Sequence, residues 1–335
     1  MIKLLFPPNG LVFDTYTDIQ KDFVEKIYKD GTKKALDWLK VVKDNEERTY
    51  PNTITFTWKS DDPSEYVLEL SENQYFTNSI KYHTKFECLE VENLKTGVKY
   101  FWRVNSSKPK NFFTKPHFTR FIFLDGALNV RDIGGYKIKQ GLFFRGSALD
   151  PPFYLTNKGV FSFVNELKVK TEVELRKDAI VNTKKCIWSN LVDRVHFPYR
   201  PYLEVFEDEH VLNIRRIMNF LSDESVYPVY AHCHGGADRT GMIAFFLRAL
   251  LGEEDEIIHI DYELTSLSTY AFGIEEGAEG TGFRSRYYPY YRNFIDKLQE
   301  YAPNKPLSVC VYNFLLSCGV EEECIDKIRN ILRKQ

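Results

Sequence analysis

The sequence has little of what would suit an extracellular or a redox protein. Six cysteines among 335 residues, at positions 88, 186, 233, 310, 318 and 324, show neither CxxC spacing nor the density of a disulfide scaffold. A reducing, cytoplasmic home is the expectation. Charge of one sign is also lacking: 45 basic against 47 acidic residues leave a net of −2. That balance argues against a general nucleic-acid binder and leaves room for local basic pockets. No apolar run is long enough to span a membrane, and the opening MIKLLFPPNG lacks the apolar core and cleavage site of a secretory leader. A secreted protein stripped of its leader would read the same way. What the chain does have is aromatics, 15% of residues with 26 Phe and 21 Tyr, so a ring-rich core is expected.

The length favours two domains over one. Up to about residue 118, TITFTW (53–58), EYVLEL (65–70), KFECLEVENL (85–94) and VKYFWRV (98–104) are short alternating or aromatic runs between polar turns. They predict a small antiparallel β-sandwich. The segment DIQKDFVEKIYKDGTKKALDWLKVVKD carries apolar residues at helical spacing and predicts one or two helices packed on that sandwich. From residue 119 strands alternate with helices. TEVELR (171–176), RVHFPY (194–199) and VYPVYA (226–231) read as strands, and 204–223, 239–252 and 255–268 as helices, with more towards residue 335. This predicts an α/β domain with a central sheet flanked by helices, whose ligands gather at the carboxyl ends of its strands.

One such end reads HCHGGADRTG, residues 232–241, between VYPVYA and MIAFFLRAL. Three readings compete: a metal site, a turn without chemistry, and a phosphate-binding loop containing a nucleophile. Adjacent His232, Cys233 and His234 point apart and lack a spaced partner pair, which disfavours a metal. A bare turn has no need of His, Cys and Arg at the mouth of a helix. In the third reading Gly235 and Gly236 let successive amides, from His234 through Ala237 and Asp238, converge on one anion at a helix N-terminus. Arg239 adds a planar fork matched to two phosphate oxygens. The same dipoles favour a thiolate at Cys233, and Thr240 can donate its hydroxyl to the sulfur. No metal and no cofactor is expected.

HCHGGADRTG matches the Cys-x5-Arg-Thr signature and so resembles the cysteine-dependent protein tyrosine phosphatase superfamily. NVRDIGGY (129–136), GLFFRGSAL (141–149), TEVELR and DYELTSLS (261–268) look like its bacterial tyrosine-phosphatase-like branch, over residues 119–335. The resemblance implies that Cys233 is the nucleophile, Arg239 the phosphate clamp and Asp238, within the loop, the general acid. It implies that Asn129, Arg131 and Asp132 form an element beside the site, with His232 ordering the loop. The alternative role for Asp238 is to shape the loop, with Asp125, Asp132 or Asp193 as the acid. Two departures stand out: Ala237 replaces a common lysine, and Glu174 replaces the aspartate of an Asp-Leu-Arg strand end. Over residues 1–118, NLKTGVKYFWRVNS together with Trp58 resembles a fibronectin type III domain, which implies a protein-binding or spacer module.

TGFRSRYYPYYRNF (281–294) interleaves arginines with rings. Arg284, Arg286 and Tyr287 are candidates for a substrate rim; the alternative is a helix edge with solvated arginines. The expected function is hydrolysis of a phosphomonoester, with phosphotyrosine in a protein as the leading substrate. The alternatives are a phosphoinositide or inositol phosphate phosphatase and an idle phospho-ligand binding module.

Overall fold

The computed structural model describes residues 2–27, 47–62, 65–150, 153–176, 190–269 and 289–334. The first part is built from two sheets. Strands β1 (Ile2–Phe6), β3 (Ile54–Ser60) and β6 (Cys88–Val91) form one, in the order β1-β3-β6. The other runs β2 (Leu11–Phe13), β8 (Lys110–Thr114), β7 (Lys99–Val104), β4 (Tyr66–Ser71), β5 (Ile80–Thr84). Alternation explains the faces: Ile54, Phe56 and Trp58 point inward from β3, and Tyr100, Trp102 and Val104 from β7. Phe56 meets Trp102 edge-on at 5.0 Å and packs on Phe112 of β8. β5 escapes a pattern reading because it is an edge strand whose residues are all exposed or half-buried.

Of the expected helical segment, the described part is helix α1 (Asp18–Asp22) and one wider turn, Phe23–Ile27; the remainder lies outside the described residues. A reciprocal capping box starts it: Gln20 N donates to Thr17 Oγ1 at 3.3 Å and Thr17 N to Gln20 Oε1 at 3.0 Å. Its apolar side does not face the sandwich core as the sequence suggested. Phe23 and Tyr16 instead join Phe118 at the junction and Phe121, Ile260, Leu264 and Leu267 of the second part of the chain.

That second part holds a six-stranded sheet in the order β13-β12-β14-β11-β10-β9. Its strands are β9 (Arg120–Phe121), β10 (Arg131–Asp132), β11 (Phe143–Gly146), β12 (Thr171–Glu174), β13 (Asp193–His196) and β14 (Val229–His232). β13, β12, β14 and β11 run parallel, while β10 and β9 are antiparallel. The helices are α2 (Asn157–Phe161), α3 (Asp208–Leu221), α4 (Arg239–Leu250), α5 (Asp255–Glu263), α6 (Pro289–Gln299), α7 (Leu307–Ser317) and α8 (Glu322–Leu332). α4 is apolar almost all round and correspondingly buried on every side. It is the central helix, entered directly from the central strand β14.

Two amide side chains fasten the parts together by imitating a strand. Asn93 donates from Nδ2 to Phe123 O (2.9 Å) and accepts from Phe123 N at Oδ1 (2.7 Å). Gln140 does the same with Thr96, accepting from its N–H at 2.9 Å and donating to its carbonyl at 2.8 Å. Buried backbone groups at the junction are thereby paired. No helix among the described residues is long and apolar enough to cross a membrane.

Candidate active site

β14 ends at His232, α4 begins at Arg239, and residues 233–238 make the loop between them. Cys233 is buried; His234, Asp238 and Arg239 are partly exposed. Gly236 adopts φ +67°, and a Cβ there would lie 2.3 Å from the backbone of Gly146, so only glycine fits. The first turn of α4 has amides with no acceptor inside the helix, and its positive end faces the loop. The guanidinium of Arg239 makes no hydrogen bond to a described residue, whereas its carbonyl accepts one from Tyr199 Oη.

The loop carbonyls are held from below. Asn129 Nδ2 donates to Gly235 O at 3.0 Å and to Thr265 Oγ1 at 3.2 Å. Arg145 Nη2 donates to Gly236 O at 2.8 Å and to Ala237 O at 3.4 Å. Asn129 itself stands at φ +56°, and its Oδ1 accepts from Arg131. Because these carbonyls turn inward, the loop is stiffened in the conformation that an anion nest requires.

Beneath them lies a fully buried charge cluster. Asp261 of α5 accepts from Arg145 Nη1 at 2.9 Å and Arg248 Nη2 at 3.1 Å, with Arg131 Nε at 3.6 Å. Arg131 also donates to the Asp261 carbonyl at 3.1 Å. Burial alone would raise the Asp261 carboxyl, yet Arg248, Arg131 and Arg145 hold it well below the usual carboxylate range. Burial and the neighbouring Arg145 bring the Arg131 guanidinium down to about 9. Glu253 balances Arg248 from its other side. Three guanidinium groups against two carboxylates leave positive charge under a loop suited to an anion.

His232 belongs to a second network. Its Nε2 lies 2.8 Å from Glu172 Oε1, next to Glu174, Arg176, Arg194 and Asp150, which form alternating ion pairs. Burial opposes a charged imidazole, but the Glu172 hydrogen bond and the fields of Glu174 and Glu172 prevail and raise it. The same surroundings, after the opposing effect of burial, bring Glu174 down to about 2. His234 points elsewhere, its ring 5.6 Å from that of Phe153, and burial followed by Arg176 and Arg239 lowers its basicity. The two histidines thus diverge. Among the described residues no group of three or more His, Cys, Asp or Glu is arranged to hold a metal ion.

Asp238 accepts a hydrogen bond from Tyr202 Oη at Oδ1. Thr240 Oγ1 is buried and makes no hydrogen bond to a described residue; the bond to the Cys233 sulfur expected from the sequence is not formed. Asp132 is turned away from the loop. It pairs with Arg120 at 2.9 Å and accepts from Gly134 N (2.8 Å) and Gly141 N (2.6 Å), fixing the NVRDIGGY turn. Asp125 caps the start of α2 through Thr156 Oγ1 at 2.6 Å, and Asp193 lies exposed on edge strand β13. Arg284, Arg286 and Tyr287 lie outside the described residues.

Sequence reasoning missed Arg145, Asp261, Tyr202 and Glu47. Arg145 and Asp261 each carried a faint signal, a charge inside a largely apolar run, FFRG and IIHIDYEL. Tyr202 and Glu47 carried none. Glu47 reaches over from the first part of the chain. Its Oε2 accepts from Ser268 Oγ (3.0 Å), Thr269 N (2.9 Å) and Thr269 Oγ1 (2.8 Å), and Oε1 from Asn129 N at 3.4 Å.

Residues 122–334 match the family model described as "Tyrosine phosphatase family". No curated protein matches the chain. Among solved structures it is similar to the core catalytic domain of the PP-IP phosphatase Siw14 from S. cerevisiae in complex with citrate. The identity is 15%, the TM-score 0.31, and the match covers 49% of this chain and 90% of that one. A second structure of the Siw14 catalytic core gives 15%, 0.29, 48% and 89% in the same order. Likeness at this level carries neither fold nor substrate across.

Replacing Asp261 by Asn leaves buried guanidinium groups without their shared counter-ion. The expected loss of stability is about 3–5 kcal/mol, read from urea melts; a loss below about 1 kcal/mol would contradict the hub. His232 gives a pH signature. Its basicity is raised on folding above the ordinary 6.5, so its stabilising contribution is complete below that pH and disappears as pH rises through the folded value. Wild type should therefore lose stability as pH rises above 6.5, and H232Q should lose less over the same range. Parallel stability–pH curves would rule this out.

Proposed function

The chain belongs to the tyrosine phosphatase family, and on that premise we propose that it hydrolyses phosphotyrosine through a phosphocysteine intermediate. The observation that best supports this reading is the bracing of the loop. Asn129 and Arg145 hold three consecutive carbonyls, of Gly235, Gly236 and Ala237, on the side of the buried arginines. The amides of Cys233 to Arg239 are thereby directed to one anion, with Cys233 at its base and Arg239 at its edge.

In the first step the Cys233 thiolate attacks phosphorus in line; the S–P bond forms as the P–O bond to the leaving oxygen breaks. Loop amides and Arg239 stabilise the equatorial oxygens, and Asp238 gives its proton to the leaving oxygen. In the second step water attacks phosphorus, Asp238 takes a proton from it, and the thiolate departs. Asp132 is poorly suited to be the acid, since Arg120, Gly134 and Gly141 already occupy its carboxylate. Ala237 within the loop, where a lysine would add charge, favours a singly phosphorylated substrate over a polyphosphorylated inositide. Residues 1–118 fit a fibronectin type III-like module that engages a protein partner.

Cys233→Ser should lower turnover of an aryl phosphate by at least about 10³-fold while a phosphate oxyanion such as vanadate still binds. Turnover near that of wild type would sink the covalent mechanism, and a panel including inositol phosphates would expose a different substrate. Asp238→Asn should slow release of poor leaving groups such as tyrosine by roughly 10²–10⁴-fold, and of nitrophenolate far less. Equal losses for both would mean that Asp238 only shapes the loop.

A further inference from the structure

We propose that Tyr202 is a positioning residue for proton transfer, acting through Asp238; the inference rests on the reading of Asp238 as the acid–base group. Tyr202 opens the short helical turn Tyr202–Phe206 at φ +65°. A bulky residue in the left-handed region is a real outlier, held only where the surroundings over-determine it. Here that backbone sends the ring inward, 5% exposed, to a place where Oη donates to Asp238 Oδ1. Tyr262 Oη lies 2.7 Å from Tyr202 Oη. Since the single hydroxyl proton of Tyr202 is committed to the carboxylate, Tyr262 is the donor in that second bond. With Tyr262 donating, the hydroxyl proton of Tyr202 is left for the carboxylate, so the two bonds form one directed chain from Tyr262 through Tyr202 to Asp238.

The arrangement decides which oxygen carries the acid proton. With Oδ1 accepting from Tyr202, a proton on Asp238 sits on Oδ2. When that proton passes to the leaving oxygen as the S–P bond forms and the P–O bond breaks, negative charge develops on the carboxylate. The Tyr202 hydrogen bond then becomes charge-assisted and stronger. Because it strengthens along the reaction, it lowers the barrier to chemistry rather than substrate binding. In the hydrolytic step water returns a proton to Oδ2 as its oxygen joins phosphorus and the thiolate leaves. Tyr202 neither gains nor loses its own proton.

The test is the dependence of turnover on leaving-group basicity, measured with aryl phosphates of graded basicity on the full chain. Wild type, Y202F, D238N, the double variant and Y262F are compared. Tyr202→Phe keeps the ring and should melt within a few degrees of wild type. It should steepen the dependence and slow the most basic leaving groups roughly 10–100-fold through kcat, with KM little changed. On the D238N background it should add less than about twofold. Tyr262→Phe, which leaves the Tyr202–Asp238 bond in place, should stay near the wild-type slope. If D238N steepens the slope and Y202F does not, Tyr202 is idle and the acid assignment stands. If D238N itself leaves the slope unchanged, the acid assignment falls and this inference with it. Equal steepening by Y202F with and without Asp238, or by Y262F as much as by Y202F, would overturn the role through Asp238. So would a Y202F that loses the fold.

Discussion

Everything about the loop of residues 233–238 depends on one carboxylate surrounded by guanidinium groups. Asp261 meets Arg131, Arg145 and Arg248, all fully buried, and each arginine has a second task. Arg145 grips two loop carbonyls, Arg131 holds Asn129, which grips a third, and Arg248 ties in Glu253. Buried charges of this kind contribute little net stability because desolvation offsets attraction. What they do contribute is direction. A planar fork fixed at one end by Asp261 can place its other end in only one orientation, and the loop inherits that orientation.

The second network works on the strand before the loop. Glu172, Glu174, Arg176, Arg194 and Asp150 fix the side chain of His232, the last residue of β14, against neighbouring β12. The entry to the loop is therefore fixed from the sheet, and its carbonyls are fixed from α5 and β11. Cys233 lies between two rigid supports, as the proposed in-line attack on phosphorus would require.

The fold was legible wherever residue pattern and burial coincide. TEVELR, RVHFPY and VYPVYA became β12, β13 and β14, and the apolar run after the loop became the all-round buried helix α4. The strand–loop–helix around Cys233 could be read because Gly236, Arg239 and the flanking apolar runs announce it locally. The edge strand β5 was not legible, since its exposed and half-buried residues carry no apolar alternation. Nor was the packing of α1, because an apolar stripe says that a helix must be covered but not by what. The partners of Asp238, Asn129 and the loop carbonyls were invisible for a different reason. Tyr202, Arg145 and Asp261 stand 36, 91 or more residues away from the groups they serve or are served by, and sequence spacing carries no record of such meetings.

The Glu47 carboxylate spans a boundary that the family model does not. That model begins at residue 122, yet a carboxylate from residue 47 accepts from Asn129 N and from Thr269. Inheritance at these positions is therefore joint. An aspartate at position 47 is one methylene short of reaching all of these donors, and a proline at 269 would remove two of them, the amide and the hydroxyl. Among descendants of this chain, positions 47, 268 and 269, which meet through their side chains, should vary together, although residue 47 lies outside the stretch that the family model matches. The evolutionary unit of the site is larger than the stretch that the family model matches.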